Sequence, residues 1–359
     1  MKTGVATLPL HFGRVPSWLF EKMVRLGREI SLTIVEEFSP QVFLAKLADP
    51  YWFQSFGCVL GFDWHSSGLT TTVCGALKYG LVGLEKDTGI FIAGGKGRTS
   101  RKTPQELTAL GQKFSFDSNP LVYASRMSAK VDNTALQDGY QLYHHTFFGT
   151  IKEGNWAVVQ QGMSLDRLGM KKGWARRYHW LSDTLHDFVC EPHSGIISHA
   201  QGRALNMTAK EAEECRKVSA KLSCQKPEKL ISQVSKIQTL KMPKEHPVSL
   251  VNLNPKILKK IFLKTYEQKP ENFKALLGIT GVGPKTIRAL ALISELIYGT
   301  PPSYRDPAKF SFAHGGKDGT PYPVNKEEYE KSIEILRLAI RKAKIGQREK
   351  IEAIRQLNL

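Results

Sequence analysis

The chain has 359 residues, 41 % hydrophobic and 23 % charged, enough for a large domain with a smaller companion and too ordinary a balance for long disorder. It carries 51 Lys and Arg against 33 Asp and Glu, a net +18, and the excess is uneven: residues 201–359 hold 30 basic and 16 acidic side chains, +14, against +4 for the first 200. That concentrated positive field calls for a polyanion, most simply nucleic acid; no apolar run nears the roughly 18 residues of a membrane span, and five cysteines without a Cys-x-x-Cys pair exclude a disulfide framework and a standard zinc module.

Residues 1–13 lack a long apolar core behind a basic head, so a cytoplasmic setting is expected. Residues 15–38 place Leu19, Met23, Leu26 and Ile30 at helical spacing behind Pro16. Ser39-Pro40 then caps a second helix running to Asp49-Pro50. Residues 51–83, rich in Gly, Thr and aromatics, read as buried strands and turns. Residues 89–102 (GIFIAGGKGRTSRK) read as a short strand entering a basic glycine-rich loop. Residues 104–112 predict a short helix, 132–145 a helix and 155–161 a strand. The mixture places an α/β or α+β domain over residues 1–204. Residues 205–253, a polar helix over 207–223 and then prolines among lysines, read as a basic, partly helical linker. Helical rhythm from Asn254-Pro255 to the end, broken by a long loop at 300–325, places an all-α domain over 254–359.

Within that domain, residues 275–299 (ALLGITGVGPKTIRALALISELIYG) predict a helix, a Gly281-Val282-Gly283 turn and a second helix from Pro284. The glycines admit a close backbone approach, and Pro284 loses nothing at a first helical turn. The free N–H groups of the helix start are suited to a phosphate oxygen, beside Lys285, Thr286 and Arg288. The segment resembles the helix-hairpin-helix of DNA repair and recombination proteins, which implies backbone contacts with little base specificity. An ordinary helical packing unit is the bland alternative. Some relatives of the motif are base-excision glycosylases, and Lys285 and Asp306 are the residues that reading needs. The glycine-rich loop with His314, Lys317 and Asp318 is either a DNA contact or a plain surface loop.

The first domain scatters polar residues over several segments. SRMSAKVDNTALQDGYQLYHH holds Lys130, Asp132, Asp138, His144 and His145; EPHSGI holds Glu191 and His193; GFDWHSSG holds Asp63 and His65. Carboxylates and imidazoles with a nearby lysine are what a divalent-metal hydrolase uses. The expected catalytic set is therefore Lys130, Asp132, Asp138, His144, Glu191 and His193, with Asp132, Asp138 and Glu191 on Mg²⁺ or Mn²⁺. Singly, each is as well explained by a turn or a structural contact. GGKGRT is not a Walker A loop, because Ile90 and Gly97 stand where that pattern needs Gly and Ser/Thr. It reads as a basic loop offering Arg98 and Arg101 to phosphate. GWARRYHWLS interleaves Arg176 and Arg177 with Trp174, Tyr178 and Trp180, either to stack bases and hold phosphates or as a half-buried edge.

Taken together, MKTGVATLPLHFG, FGCVLGFDWHSSGLTTTVCGALK, SRMSAKVDNTALQDGYQLYHH, WAVVQQGM, ARRYHWLS, EPHSGI and RDPAKFSFAHGGKDG resemble a mainly archaeal family, the domain of unknown function 763, over almost the whole chain. The resemblance supplies no catalytic residues; its pairing with a hairpin implies DNA repair or processing. The leading expectation is a metal-dependent, structure-selective DNA nuclease. A non-catalytic DNA-binding scaffold of a repair complex and a glycosylase stand beside it, with a homodimer and repair-complex proteins as further partners.

Overall fold

The first helix, α1 (Ser17–Glu37), forms because Met23, Gly27, Ile30 and Ile34 fall on one stripe that packs inward. This computed structural model describes residues 8, 15–62, 66–164, 173–198, 202–239, 253–308 and 326–357. The Ser39 hydroxyl accepts from Val42 N at 3.1 Å and starts α2 (Pro40–Ala48). The Asp49 carboxylate accepts from Tyr51 N and Trp52 N and starts α3 (Pro50–Val59). α4 (Gly68–Leu81) and the single turn α5 (Glu85–Thr88) follow. The strands expected over 51–83 are thus α3 and α4. Trp52, Phe53, Phe56, Gly57 and Val59 are all buried and only Tyr51, Ser55 and Cys58 are partly exposed, and a helix so nearly enclosed shows little amphipathic rhythm to read.

Gly89, at φ +67, turns the chain into β1 (Ile90–Lys96). A 3-10 turn, Gly97–Lys102, leads to α6 (Thr103–Phe114) and α7 (Asn119–Lys130). The helix expected over 132–145 is instead a π-turn, Val131–Ala135, then β2 (Leu136–Gln137) and β3 (Gln141–Thr150). The Asp138 carboxylate accepts from Tyr140 N, and Gly139 sits at φ +84, which ends any helix there. β4 (Trp156–Ser164), β5 (Trp174–Leu181) and β6 (Gly195–Ile197) complete an antiparallel sheet of order β1-β3-β4-β5-β6. β7 (Arg203–Asn206) pairs with β2 and with the late strand β8 (Ser303–Arg305) in a second, three-stranded sheet.

Alternation along the strands divides the core between the two faces of the larger sheet. Phe148, Ala157, Val159 and Leu181 face α1–α4. Phe147, Val158 and Trp180 face α6 and α7. A one-residue slip would exchange Phe147 with Phe148 and send every neighbour to the wrong side. With about 2 kcal/mol at stake for each large apolar side chain, register is firmly held.

The later helices are α8 (Glu213–Ser223), α9 (Pro227–Gln238), α10 (Pro255–Gln268), α11 (Phe273–Gly278) and α12 (Pro284–Tyr298). Their Leu222, Leu230, Phe262, Leu277 and Leu290 join the same core as Phe147 and Trp180. α13 (Lys326–Lys342) and α14 (Gln347–Leu357) place Leu336, Ile340 and Ala353 in the opposite core, with α1 and α3. The fold is mixed α/β, mainly helical, with two small antiparallel sheets.

Candidate nucleic-acid interface and the buried polar layers

At one end of the sheet the inward-facing residues turn polar. Register aligns Lys96, His144, Gln161 and Arg177 across β1, β3, β4 and β5, and beside them Gly95, His145, Gln160 and Tyr178. Because successive side chains point to opposite faces, each doublet — His144-His145, Gln160-Gln161, Arg176-Arg177 — gives one member to each core. Every one of these six side chains is buried.

On the α7 face a continuous chain of hydrogen bonds runs inward. Ser125 Oγ lies 2.9 Å from His145 Nε2, and His145 Nδ1 lies 2.8 Å from Gln160 Oε1. Gln160 Nε2 donates to Asp132 Oδ2 at 2.6 Å, and Trp180 Nε1 donates to the same oxygen at 2.9 Å. The other oxygen, Oδ1, meets His193 Nε2 at 2.5 Å. Burial raises the Asp132 pKa, against the pull of His193 and Trp180. Gln160 commits its amide to Asp132, so its oxygen accepts from His145 Nδ1–H, and Ser125 donates to Nε2. Burial then lowers His145 to about 4.

Deeper in this layer lies Arg176, fully buried. Its fork grips Asp306 through two bonds of 2.9 and 2.8 Å, and NH1 also reaches Asp138 Oδ2 at 2.8 Å. Asp138 accepts from the Tyr178 hydroxyl at 2.7 Å, and Asp306 accepts from Gly202 N and Ala308 N. Burial opposes the guanidinium charge, but Asp138, Tyr178 and Asp306 outweigh it and hold the pKa above the ordinary value. On the α1–α4 face Arg177 donates to Gln54 Oε1 at 2.8 Å, Thr70 Oγ1 at 3.2 Å and His179 Nε2 at 2.9 Å. Burial lowers its pKa to about 9. His144, on this side too, is lowered by burial, His145 and Lys96 to about 3.

These placements revise several expectations. Arg176 and Arg177, expected on DNA, are enclosed, because β5 is a central strand covered on both faces. Asp132 and His193 are brought together, and Asp138 lies in the same layer but serves Arg176 and Tyr178. His144 is on the opposite face of β3. Glu191 is exposed at φ +44, its N–H bonded to Thr208 O. Asp132, Asp138 and Glu191 therefore do not form a ligand set: among the described residues no three His, Cys, Asp or Glu side chains are grouped to hold a metal ion. Asp306, the acid of a glycosylase reading, spends both oxygens on Arg176. Asp63, His65, His314, Lys317 and Asp318 lie outside the described residues.

The hairpin lies elsewhere, where α11 hands over to α12. Val282 N donates to Ile279 O at 3.1 Å, closing a tight turn whose third residue, Gly281, takes φ +98. A side chain there would be strained, and a Cβ would stand 2.8 Å from Ile261 on α10. Val282 is buried, and Gly283 leads directly into Pro284. Thr286, also buried, donates its N–H to Gly283 O, whereas Lys285 is exposed. Arg288 is half-buried, and its Nε and NH2 donate to Gln137 Oε1 at 3.1 and 2.9 Å. Beside the hairpin an open groove of 660 Å³ runs between the starts of α10 and α12, lined by Leu253 to Ile257 and Lys285. Its floor holds the first turn of α10, where the Asn254 side chain caps Lys256 N at 3.0 Å. The ammonium groups of Lys256 and Lys285 have no acidic partner among the described residues. Arg98 and Arg101 are exposed on the 3-10 turn after β1, likewise without such a partner.

Lys130 departs furthest from its expected role. From the last turn of α7 its Nζ reaches Val282 O at 2.5 Å and Ile279 O at 3.4 Å, so it serves the hairpin. Lys256, Gln137 and Gln160 were not anticipated, and Trp180, a candidate for base stacking, is buried and donates to Asp132 instead. Asn254-Pro255 ahead of lysines was a readable signal for the first; the Gln doublet in a strand was one for Gln160.

A family model described as a protein of unknown function, DUF763, matches residues 4–324. No curated protein and no solved structure matches the chain.

Proposed function

The chain belongs to the DUF763 family of proteins of unknown function, and we propose that it is a DNA-binding protein of repair or recombination that grips the backbone through a helix-hairpin-helix at residues 273–298. The groove between the starts of α10 and α12 carries this reading. Lys256 and Lys285 line it, their ammonium groups without an acidic partner among the described residues, and at the adjoining start of α12 the N–H groups of Gly283 and Lys285 have no acceptor among those residues. Helix starts and lysines both favour a phosphate oxygen, and neither reads a base, so the interface holds duplexes of any sequence.

The test is fluorescence anisotropy of labelled duplexes across a salt series. Lys256→Ala with Lys285→Ala weakens binding alike on unrelated sequences and reduces the salt slope by about 2, one per phosphate contact. An unchanged slope, or a loss confined to one sequence, removes the groove as the contact.

A second reading is favoured by one observation, the Asp132–His193 pair. A carboxylate fixed by Gln160 and Trp180 orients an imidazole through Nε2, the arrangement that prepares the other ring nitrogen to move a proton. On this reading the bound DNA is also cut. End-labelled single-stranded, duplex, bubble and flap DNA incubated with Mg²⁺, Mn²⁺ or EDTA decides it. Cutting is expected to fall about a hundredfold or more in His193→Gln, while DNA affinity stays as in the wild type. Wild-type protein that binds but never cuts leaves the scaffold.

A further inference from the structure

We propose that Lys130 and Gln137 are positioning residues of the hairpin: they hold the carbonyl ends of the peptide groups whose N–H ends receive the phosphate. This rests on the hairpin being the DNA contact.

A trans peptide is planar, with its C=O and N–H pointing in opposite directions. Lys130 Nζ binds Val282 O at 2.5 Å. The N–H of the same peptide group belongs to Gly283 and so faces away from Lys130. Gln137 Nε2 donates to Pro284 O at 2.9 Å. The N–H of that peptide group belongs to Lys285 and faces away from Gln137. Four N–H groups of the turn, those of Thr280, Gly281, Gly283 and Lys285, have no acceptor among the described residues, and those of Gly283 and Lys285 are the reverse sides of the two carbonyls held most closely from the first half of the chain. The 3.4 Å contact of Lys130 with Ile279 O adds a third point, at the opening of the turn.

Ordinary packing does not account for this choice of residues. A half-buried ammonium loses hydration, and burial indeed lowers the Lys130 pKa. No carboxylate pairs with it among the described residues. What it gains is a set of carbonyl dipoles. A cation against a carbonyl polarises the whole peptide group and makes its N–H a stronger donor, as hydrogen-bond chains do generally. The positive charge also lies behind the surface that receives an anion without touching it. Gln137 adds to the same framework by accepting from Arg288, which fixes the first turns of α12 against β2. Without these struts, Gly281 and Gly283 leave the turn free to explore other conformations, and the two amides no longer face one oxygen.

The experiment compares full-length wild type, Lys130→Met, Lys130→Arg, Gln137→Leu and Lys285→Ala. Anisotropy with a labelled duplex is read between about 50 and 200 mM salt, and hydrogen exchange is followed in the peptide covering residues 279–288. Lys130→Met is expected to weaken binding about tenfold or more, the scale of a lost charge-assisted hydrogen bond, with the salt slope unchanged. Exchange at the bonded amides of Val282, Thr286 and Ile287 should accelerate. Lys130→Arg restores both, and Gln137→Leu weakens binding with no slope change. Lys285→Ala, by contrast, lowers the slope by about 1. A slope drop in Lys130→Met would mean that Lys130 itself meets a phosphate, and unchanged affinity with unchanged exchange would mean that it holds nothing; either overturns the proposal. Wild-type protein that binds no DNA defeats the functional reading instead, and exchange in Lys130→Met still decides whether Lys130 fixes the turn.

Discussion

Arg176→Met is expected to cost at least about 3–5 kcal/mol, the scale for removing one partner of a buried ion pair, and to leave little folded protein at 37 °C. The reason is not the strength of the salt bridge as such. Arg176, Asp138 and Asp306 are all enclosed, with the guanidinium 2.8–2.9 Å from both carboxylates. Pairs this deep gain little over an apolar replacement of the same shape, because desolvation consumes most of the Coulomb attraction. Deleting only the cation leaves two carboxylates facing each other without water. Against a total stability of roughly 5–15 kcal/mol, that loss decides whether the chain folds. The contrast lies in the triple variant Arg176→Met, Asp138→Asn, Asp306→Asn, which removes the uncompensated charge and is expected to recover much of the stability. Arg176→Lys should fall between, since an ammonium cannot reproduce the bidentate fork on Asp306. Urea midpoints of the four proteins settle it. Wild-type stability in Arg176→Met would show that the guanidinium is not holding the layer together, and would reopen its assignment to DNA.

The same triad shows which parts of the molecule were readable beforehand. Local signals were reliable: the Ser39 cap, the stripe of α1, the strand at β4, and the Gly281-to-Pro284 turn each depend on a few neighbouring residues. Arg176 and Asp306 are 130 positions apart, and no periodicity relates them. Arg176-Arg177 between aromatics looked like an exposed grip on nucleic acid because buried arginines are uncommon, yet strand alternation sends each into a different core. Polar doublets also misled around residues 132–145. A run with Asp, Gln and His every few positions imitates the wet face of a helix, whereas here the polar side chains line both buried faces of a sheet. Lys130 and Asp132 read as one catalytic cluster because they are two residues apart. The π-turn that follows α7 separates them, Lys130 to the hairpin and Asp132 to His193.

Acid should begin to destabilise this protein below about pH 6.5, above the ordinary carboxylate range of about 4. His144, His145 and His179 are buried and neutral: burial holds His144 at about 3 and His145 at about 4, and burial followed by the Arg177 charge holds His179 well below 6.5. In the unfolded chain all three return to about 6.5. Above that value both states bind the same protons, and the contribution to stability is fully present. Below it the unfolded state takes up protons that the folded state refuses, so stability falls as pH falls, down to about 4 for His145 and about 3 for His144. Each histidine costs about 1.4 kcal/mol per pH unit, hence roughly 4 kcal/mol per unit for three. Asp132 works the other way. Burial raises its folded pKa, so the folded state binds its proton first, and falling pH offsets about one of the three histidines where that carboxyl titrates. A net uptake of two to three protons over two units still amounts to roughly 5–8 kcal/mol, comparable to the whole stability of a domain. Unfolding free energies from urea titrations between about pH 7.5 and 4.5 should trace that slope. His145→Gln, which keeps a polar side chain between Ser125 and Gln160, should lower it by about one proton. Stability that stays level from pH 7 to 5 would mean that the three imidazoles accept protons without unfolding, and that the polar layers are open to water.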